Sequence, residues 1–147
     1  MSNKVTRKKH VDMSRLSQDA SRIFLDEAAA SVEGKAASNA PTNSGTLRNS
    51  IARRAPSDFV REVYSDTDYG VYVEFGTRPH FPPLEPIKDW ARRVIGDEGA
   101  AFPIARKISR EGTEAQPFLR PALDEFKSQM ARFWQRAIEG AYARNKR

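Results

Sequence analysis

The C-terminal part of the chain carries the pattern that leaves a fold the least freedom. Leu123, Phe126, Met130, Phe133, Trp134, Ile138 and Ala141 recur at three- and four-residue spacing. That spacing puts them on one side of a helix, and so large an apolar stripe needs another element to cover it. The pattern predicts a helix to about Ala143, with Pro121 suited to its first position, where a missing N–H costs little. A second long segment answers it at the other end. Leu16, Ala20, Phe24, Ala28, Val32 and Ala36 recur every four residues from Met13 to about Ala37, with Met13 and Ile23 near the same face. Asp12 precedes this run as an N-cap, and "SNAP" (Ser38 to Pro41) stops it, because the residue before a proline avoids the α region. The stripe is rich in alanine and suits close packing against a sheet or another helix.

Between the two, the pattern changes period. "APTNSG" is loop chemistry, and Leu47 and Ile51 resume apolar character. Ser50 to Arg54 and Phe59 to Ser65 read as strands joined by the turn "APSD". In "DYGVYVEFGTRPHFPP" (Asp68 to Pro83), Tyr69, Val71, Val73 and Phe75 fit a strand. Tyr69, Tyr72, Val73 and Gly76 fit a helical turn as well, and periodicity does not choose between them. A helix is expected from Leu84 to Ile95, closed by Gly96, then a loop "DEGAA", then a shorter helix from Phe102 to Glu111. The expected fold is therefore α+β, with a small, mostly antiparallel sheet packed with long N- and C-terminal helices and two shorter helices. Residues 1–12 form a basic N-terminal arm, 13–143 a single domain and 144–147 a basic C-terminal tail. A chain of 147 residues is one domain's worth.

Charge and composition narrow the function classes. The net charge is +6, with Lys4, Arg7, Lys8 and Lys9 crowded at one end and Arg144, Lys146 and Arg147 at the other. Such a bias suits a polyanion or an acidic protein partner. The arm residues Lys4, Arg7, Lys8 and Lys9 are candidates for contact with a DNA backbone, and Arg53, Arg54, Arg92 and Arg93 are further cations that could meet phosphates. No zinc finger, RNA-recognition motif or helix-turn-helix spacing is visible. No apolar run is long enough to span a bilayer, and no apolar segment follows the basic start as a signal peptide requires.

The inventory for catalysis is poor. There is no cysteine, and the two histidines, His10 and His80, have no partner at metal-binding spacing. Glu62, Asp66, Asp68 and Glu74 fall close together, as paired carboxylates of a hydrolase would, but they sit among turn residues that favour Asp for local reasons. No phosphate loop, dinucleotide fingerprint or nucleophile elbow occurs. The expectation is no catalytic residue, no metal and no cofactor. Glu74 stands out, because it lies between Val73 and Phe75 in an apolar run. Buried, it would need a cation or several donors. The reading is a structural ion pair with Arg48, Arg78 or Arg120, or a backbone clasp, that fixes the turn at Gly76. Beyond that turn, Arg78, Pro79, His80, Phe81, Pro82 and Pro83 form a proline-stiffened tab that, with Trp90, is a candidate interface.

The motifs "APTNSGTLRNSI", "YGVYVEFGT", "PPLEPIKDWARR", "AFPIARKISREGT" and "AQPFLRPALDEF" occur in that order from about Ala40 to Phe126. In this order they resemble the minor tail or tail-completion (head–tail joining) proteins of long-tailed bacteriophages, those similar to minor tail protein Z. The resemblance places family marks on Pro41, Gly45, Leu47, Arg48, Ser50 and Ile51, on Tyr69, Tyr72, Glu74, Phe75, Gly76 and Thr77, and on Pro117, Phe118, Pro121 and Ala122. Gly70 departs from it, since the family usually shows alanine there, and this favours a non-helical "YGVYVEF". The resemblance implies a structural virion protein and not an enzyme. It implies a self-assembled ring, hexameric by tail symmetry, in the neck or at the head-proximal tail end. Its partners would be neighbouring neck and tail proteins, with nonspecific contact to DNA in the channel and none with membrane. The neighbouring alternatives are a tail terminator or a head-completion adaptor. A different class is a small basic DNA-binding protein.

Overall fold

A computed structural model describes residues 11–41 and 45–146. Two helices of 27 residues each, α1 (Met13–Asn39) and α6 (Leu119–Asn145), set its length at about 40 Å. They run antiparallel. Asp19 accepts from Asn145, Glu27 pairs with Arg136, Lys35 pairs with Glu125, and Asn39 donates to the Phe118 carbonyl. Small residues let the backbones approach, with Ala20, Ala29 and Ala36 buried on α1 and Ala122, Ala137 and Ala141 on α6. Phe24 fills the space between, edge-on to Trp134 at 5.3 Å and tilted against Phe126 at 5.9 Å.

The start of α1 is as expected, because Asp12 Oδ1 accepts from the N–H groups of Ser14 and Arg15. Asp12→Ala should cost about 1 kcal/mol in urea unfolding and Asp12→Asn much less. Equal losses in the two variants would deny Asp12 that capping role.

After α1 comes one short turn of helix, α2 (Thr46–Ser50), and then a two-stranded antiparallel sheet of β1 (Ile51–Ser57) and β2 (Val60–Ser65). Ile51 faces Ser65 and Arg54 faces Glu62, with an irregularity between Arg54 and Ser57. The strands run further than "APSD" suggests, and the turn falls at Asp58 and Phe59. Ion pairs hold this hairpin to α1, from Arg22 to Asp58, Arg61 to Asp26 and Arg53 to Glu33. The core lies where α1, α2, β1 and the start of α6 meet, around Val32, Ala36, Leu47, Ile51, Phe118 and Phe126.

"YGVYVEF" is helical, as α3 (Gly70–Phe75). Gly70 does not signal an extended backbone here. It is buried in the helix, and a Cβ would lie 2.9 Å from Ser65 Oγ and 3.2 Å from Thr67 Oγ1. Close packing on β2, and not backbone freedom, explains the glycine. Next comes a lobe of α4 (Leu84–Val94), a 3-10 turn (Glu98–Ala100) and α5 (Ala101–Glu111), which pack chiefly on one another. The described residues thus hold four shorter helices between the long ones where the sequence suggested two, and "DEGAA" ends in a helical turn.

Candidate functional site

The candidate site is built around α3. Within its one and a half turns, Gly70 and Glu74 point inward and Val71, Tyr72 and Phe75 point out. Phe75 is 62% exposed, and Tyr69, just before the helix, is also open. The result is a ridge with a hollow on each side. On one side Tyr69, Tyr72 and Val73 line a cavity of about 700 Å³ together with Pro79, His80, Pro82, Ile87 and Ile108 of the lobe. On the other side Val71 and Phe75 face an open apolar groove of about 820 Å³. Its other walls come from α1 (Phe24, Ala28), β2 (Val63) and α6 (Leu119, Leu123).

Glu74 fixes this ridge. It is only 6% exposed. Its Oε2 accepts from the N–H of Phe118 at 2.7 Å and of Leu119 at 2.9 Å, and its Oε1 accepts from the N–H of Arg120 at 2.9 Å. Pro121 follows and has no N–H. All four backbone positions whose donors a helix start leaves unpaired are thereby accounted for at α6. The negative charge also meets the positive end of the helix dipole. Burial disfavours the ionised carboxylate and is the largest single influence on it. The three backbone donors and the nearby Arg120 guanidinium together outweigh it, and they hold the Glu74 carboxyl below its ordinary range. Glu74 therefore stays ionised near neutral pH and acts as a fixed acceptor.

The backbone clasp expected of Glu74 is present, but it holds the start of α6 and not the Gly76 turn. Of its three candidate cations, Arg120 is the one that acts on it, and that guanidinium also lies over the Phe75 ring at 5.3 Å. Pro121 is the third residue of α6 and not the first, since the Glu74 carboxylate caps two residues that sequence pattern leaves outside the helix. The Gly76 turn is held by a crossing of two chain segments. Thr77 and Thr113 exchange backbone hydrogen bonds at 3.1 and 3.2 Å, and their hydroxyls lie 3.0 Å apart. Gln116 N–H donates to the Val73 carbonyl at 2.8 Å.

The other expected residues fall in several places. Leu47 and Phe118 are core, and Gly45 opens α2 with φ 71°. Arg48 is exposed and takes no part in the clasp, and Pro117 is exposed just before the clasp's first donor, Phe118. Arg78, Pro79, His80, Phe81 and Pro83 are exposed, as a tab requires, while Pro82 is buried and Trp90 half-buried. His80 Nδ1 lies 2.9 Å from the Arg78 carbonyl and so helps to shape the tab. Lys4, Arg7, Lys8, Lys9 and His10 lie outside the described residues. Arg53, Arg54 and Arg92 are engaged with Glu33, Glu62, and Asp89 and Glu98. Glu62 is thus paired with Arg54 at the surface of the hairpin. Among the described residues no cluster could hold a metal ion, and no helix is long and apolar enough to cross a membrane.

Fold and site together define a small α+β protein that displays a braced apolar ridge. The family model described as "Bacteriophage HK97-gp10, putative tail-component" matches residues 3–76, half of the chain, and the chain belongs to this HK97-gp10-like family. It is a bacteriophage tail component and so part of the virion. Comparison with curated proteins and with solved structures gives no match. The matched span ends at Gly76, directly after the ridge. The clasp's acceptor lies inside that span and its donors lie beyond it.

Proposed function

We propose that this tail component completes the tail and joins it to the head. Copies assemble as a hexameric ring at the head-proximal end of the tube or in the neck, and the genome passes through the central channel. The braced ridge carries this reading. An exposed apolar patch marks a docking surface, and one already rigid in the free protein loses little conformational freedom on binding. Four large side chains over seven residues stand open here, on a turn that a buried carboxylate holds in place. The net charge of +6 suits a ring around a polyanion contacted through its backbone. The partners are further copies of the chain and the neighbouring neck and tail proteins.

Phage lacking this protein should produce filled heads and assembled tails as separate particles in electron micrographs, and supplying the protein in trans should join them. If particles without it carry stable, joined tails, the proposal is wrong.

A further inference from the structure

We propose that the groove beside α3 receives the α4–α5 lobe of a second copy of this chain. Phe81 and Phe102 of one copy enter against Val71, Phe75 and Leu123 of the next, while Arg106 and Arg110 meet Asp66 and Asp68. The contact rests on the ring reading and names the two surfaces that form the ring.

The apolar parts match in character. The Phe81 and Phe102 rings lie tilted with centroids 6.4 Å apart and are 56% and 58% exposed, so they form one aromatic knob on the lobe. Val71, Phe75 and Leu123 are the exposed apolar side chains of the groove, and Arg120 is the exposed cation on its wall, so the acidic contacts for the lobe lie at the Asp66–Asp68 end.

The charges point the same way. Of the nineteen acidic residues, all but Asp66, Asp68 and Glu114 have a side chain engaged in an ion pair or hydrogen bond among the described residues. Asp66 and Asp68 directly precede α3, and Glu114 lines the cavity on its other side. The lobe has the opposite residue of charge. Its carboxylates Glu85, Asp89, Asp97, Glu98 and Glu111 are all engaged. Arg106 and Arg110 have no ion pair among the described residues, and both are exposed. Phe102, Arg106 and Arg110 follow at four-residue spacing, which puts an aromatic and two cations on one face of α5. Such pairing sets register and excludes wrong partners more than it adds affinity.

The lobe cannot fill the groove of its own chain. It is rooted on the Tyr69–Tyr72 side of α3, where the Thr77–Thr113 crossing pins it. The groove lies on the Val71–Phe75 side. The two surfaces meet only between chains. Because they differ, each contact leaves one groove and one lobe open, and the series ends only when a ring closes.

The chain has no cysteine, which makes crosslinking specific. Val71→Cys and Phe102→Cys proteins, prepared separately, mixed and treated with a short bifunctional thiol reagent, should give a covalent dimer of one variant with the other. Dimers formed as readily by Val71→Cys alone would overturn the contact. In native mass spectrometry and negative-stain microscopy, Phe75→Asp and Phe102→Asp should each reduce the ring fraction at least about tenfold with unfolding midpoints little changed. A 1:1 mixture of the two should yield dimers that do not grow. Reversing Asp66 and Asp68 to Arg, or Arg106 and Arg110 to Glu, should weaken assembly, and combining the reversals should restore it. Rings that persist in both Asp variants overturn this contact and leave the ring reading standing. A parent protein that forms no ring, alone or on tail tubes, overturns both.

Discussion

Glu74→Ala should lower the stability of the protein by about 3–5 kcal/mol, the scale on which an engaged buried charge resists removal. The loss does not come from a surface ion pair. It comes from three backbone N–H groups at the start of α6 that have Glu74 as their acceptor. The first of them belongs to Phe118, which is fully buried. One unsatisfied buried donor costs about 1–3 kcal/mol, and the other two are partly buried. The same three bonds tie α3 to the helix that brings Ala122, Phe126 and Phe133 to the core, so α3 should loosen with them. Glu74→Gln is the sharper variant. Its amide keeps one oxygen acceptor but turns an NH₂ group toward a backbone donor, so it should recover only part of the loss. Urea unfolding of the three proteins measures this. If Glu74→Gln matches the parent, charge and the second oxygen do not matter and the clasp is misread.

The clasp also sets a pH dependence. The folded protein holds the Glu74 carboxyl below its ordinary value, so the folded state favours the ionised form. The stabilisation is complete above the unfolded value of about 4.3 and is lost as pH falls through the lower folded value. Glutamine does not titrate. The gap in urea midpoint between the parent and Glu74→Gln should therefore hold steady from neutral pH to about 5 and narrow below about 4.3. A gap of constant size down to pH 3 would show that Glu74 does not titrate with folding in this way.

Long-range structure in this chain was readable where one residue type repeats on one face, and unreadable where a single side chain reaches across the fold. The spacing of Phe126, Phe133 and Ala141 fixes α6, and the four-residue series from Ala20 to Ala36 fixes α1, because each needs only its own neighbours to be seen. Glu74 was legible as an oddity in an apolar run. Its partners lie more than forty positions away as backbone N–H groups, which carry no residue identity, so the sequence offered a backbone clasp or an arginine and tied it to the adjacent Gly76 turn instead of to the start of α6. Pro121 misled in the same way. A missing N–H is harmless at a helix's first position, so pattern alone puts it there, but the donors before it are capped from outside. Gly70 suggested an extended backbone, yet the constraint is the Ser65 hydroxyl against it. The tab was visible through its prolines. The apolar groove was not, because its walls come from α1, β2, α3 and α6, and no local pattern joins them.

Gly112→Ala should be as damaging as loss of the clasp, for a different reason. Gly76 and Gly112 have φ 69°, ψ −177° and φ 76°, ψ −157°. That corner of backbone space is essentially open to glycine alone, and a side chain there costs about 1–3 kcal/mol. Space adds to it. A Cβ on Gly112 would run into the Thr77 carbonyl oxygen, and one on Gly76 into the Thr113 carbonyl oxygen. Those two carbonyls accept the hydrogen bonds that join the crossing segments, so relief by movement breaks the crossing itself. Forcing extra atoms into such a contact costs about another 1–3 kcal/mol. Gly112→Ala should thus lose about 2–6 kcal/mol in all. Gly96 supplies the control. Its φ is also positive, at 81°, but nothing lies within 4 Å of where its Cβ would be. Gly96→Ala should lose only about 1–2 kcal/mol, the cost of the left-handed backbone alone. Because the crossing roots the lobe, Gly112→Ala should also raise amide hydrogen exchange at Thr77 and Thr113, while the α1–α6 pair stays protected. Equal losses from the two substitutions would mean that backbone conformation is the whole effect. The close crossing of Gly76–Thr77 with Gly112–Thr113 would then not be what holds the lobe to the body.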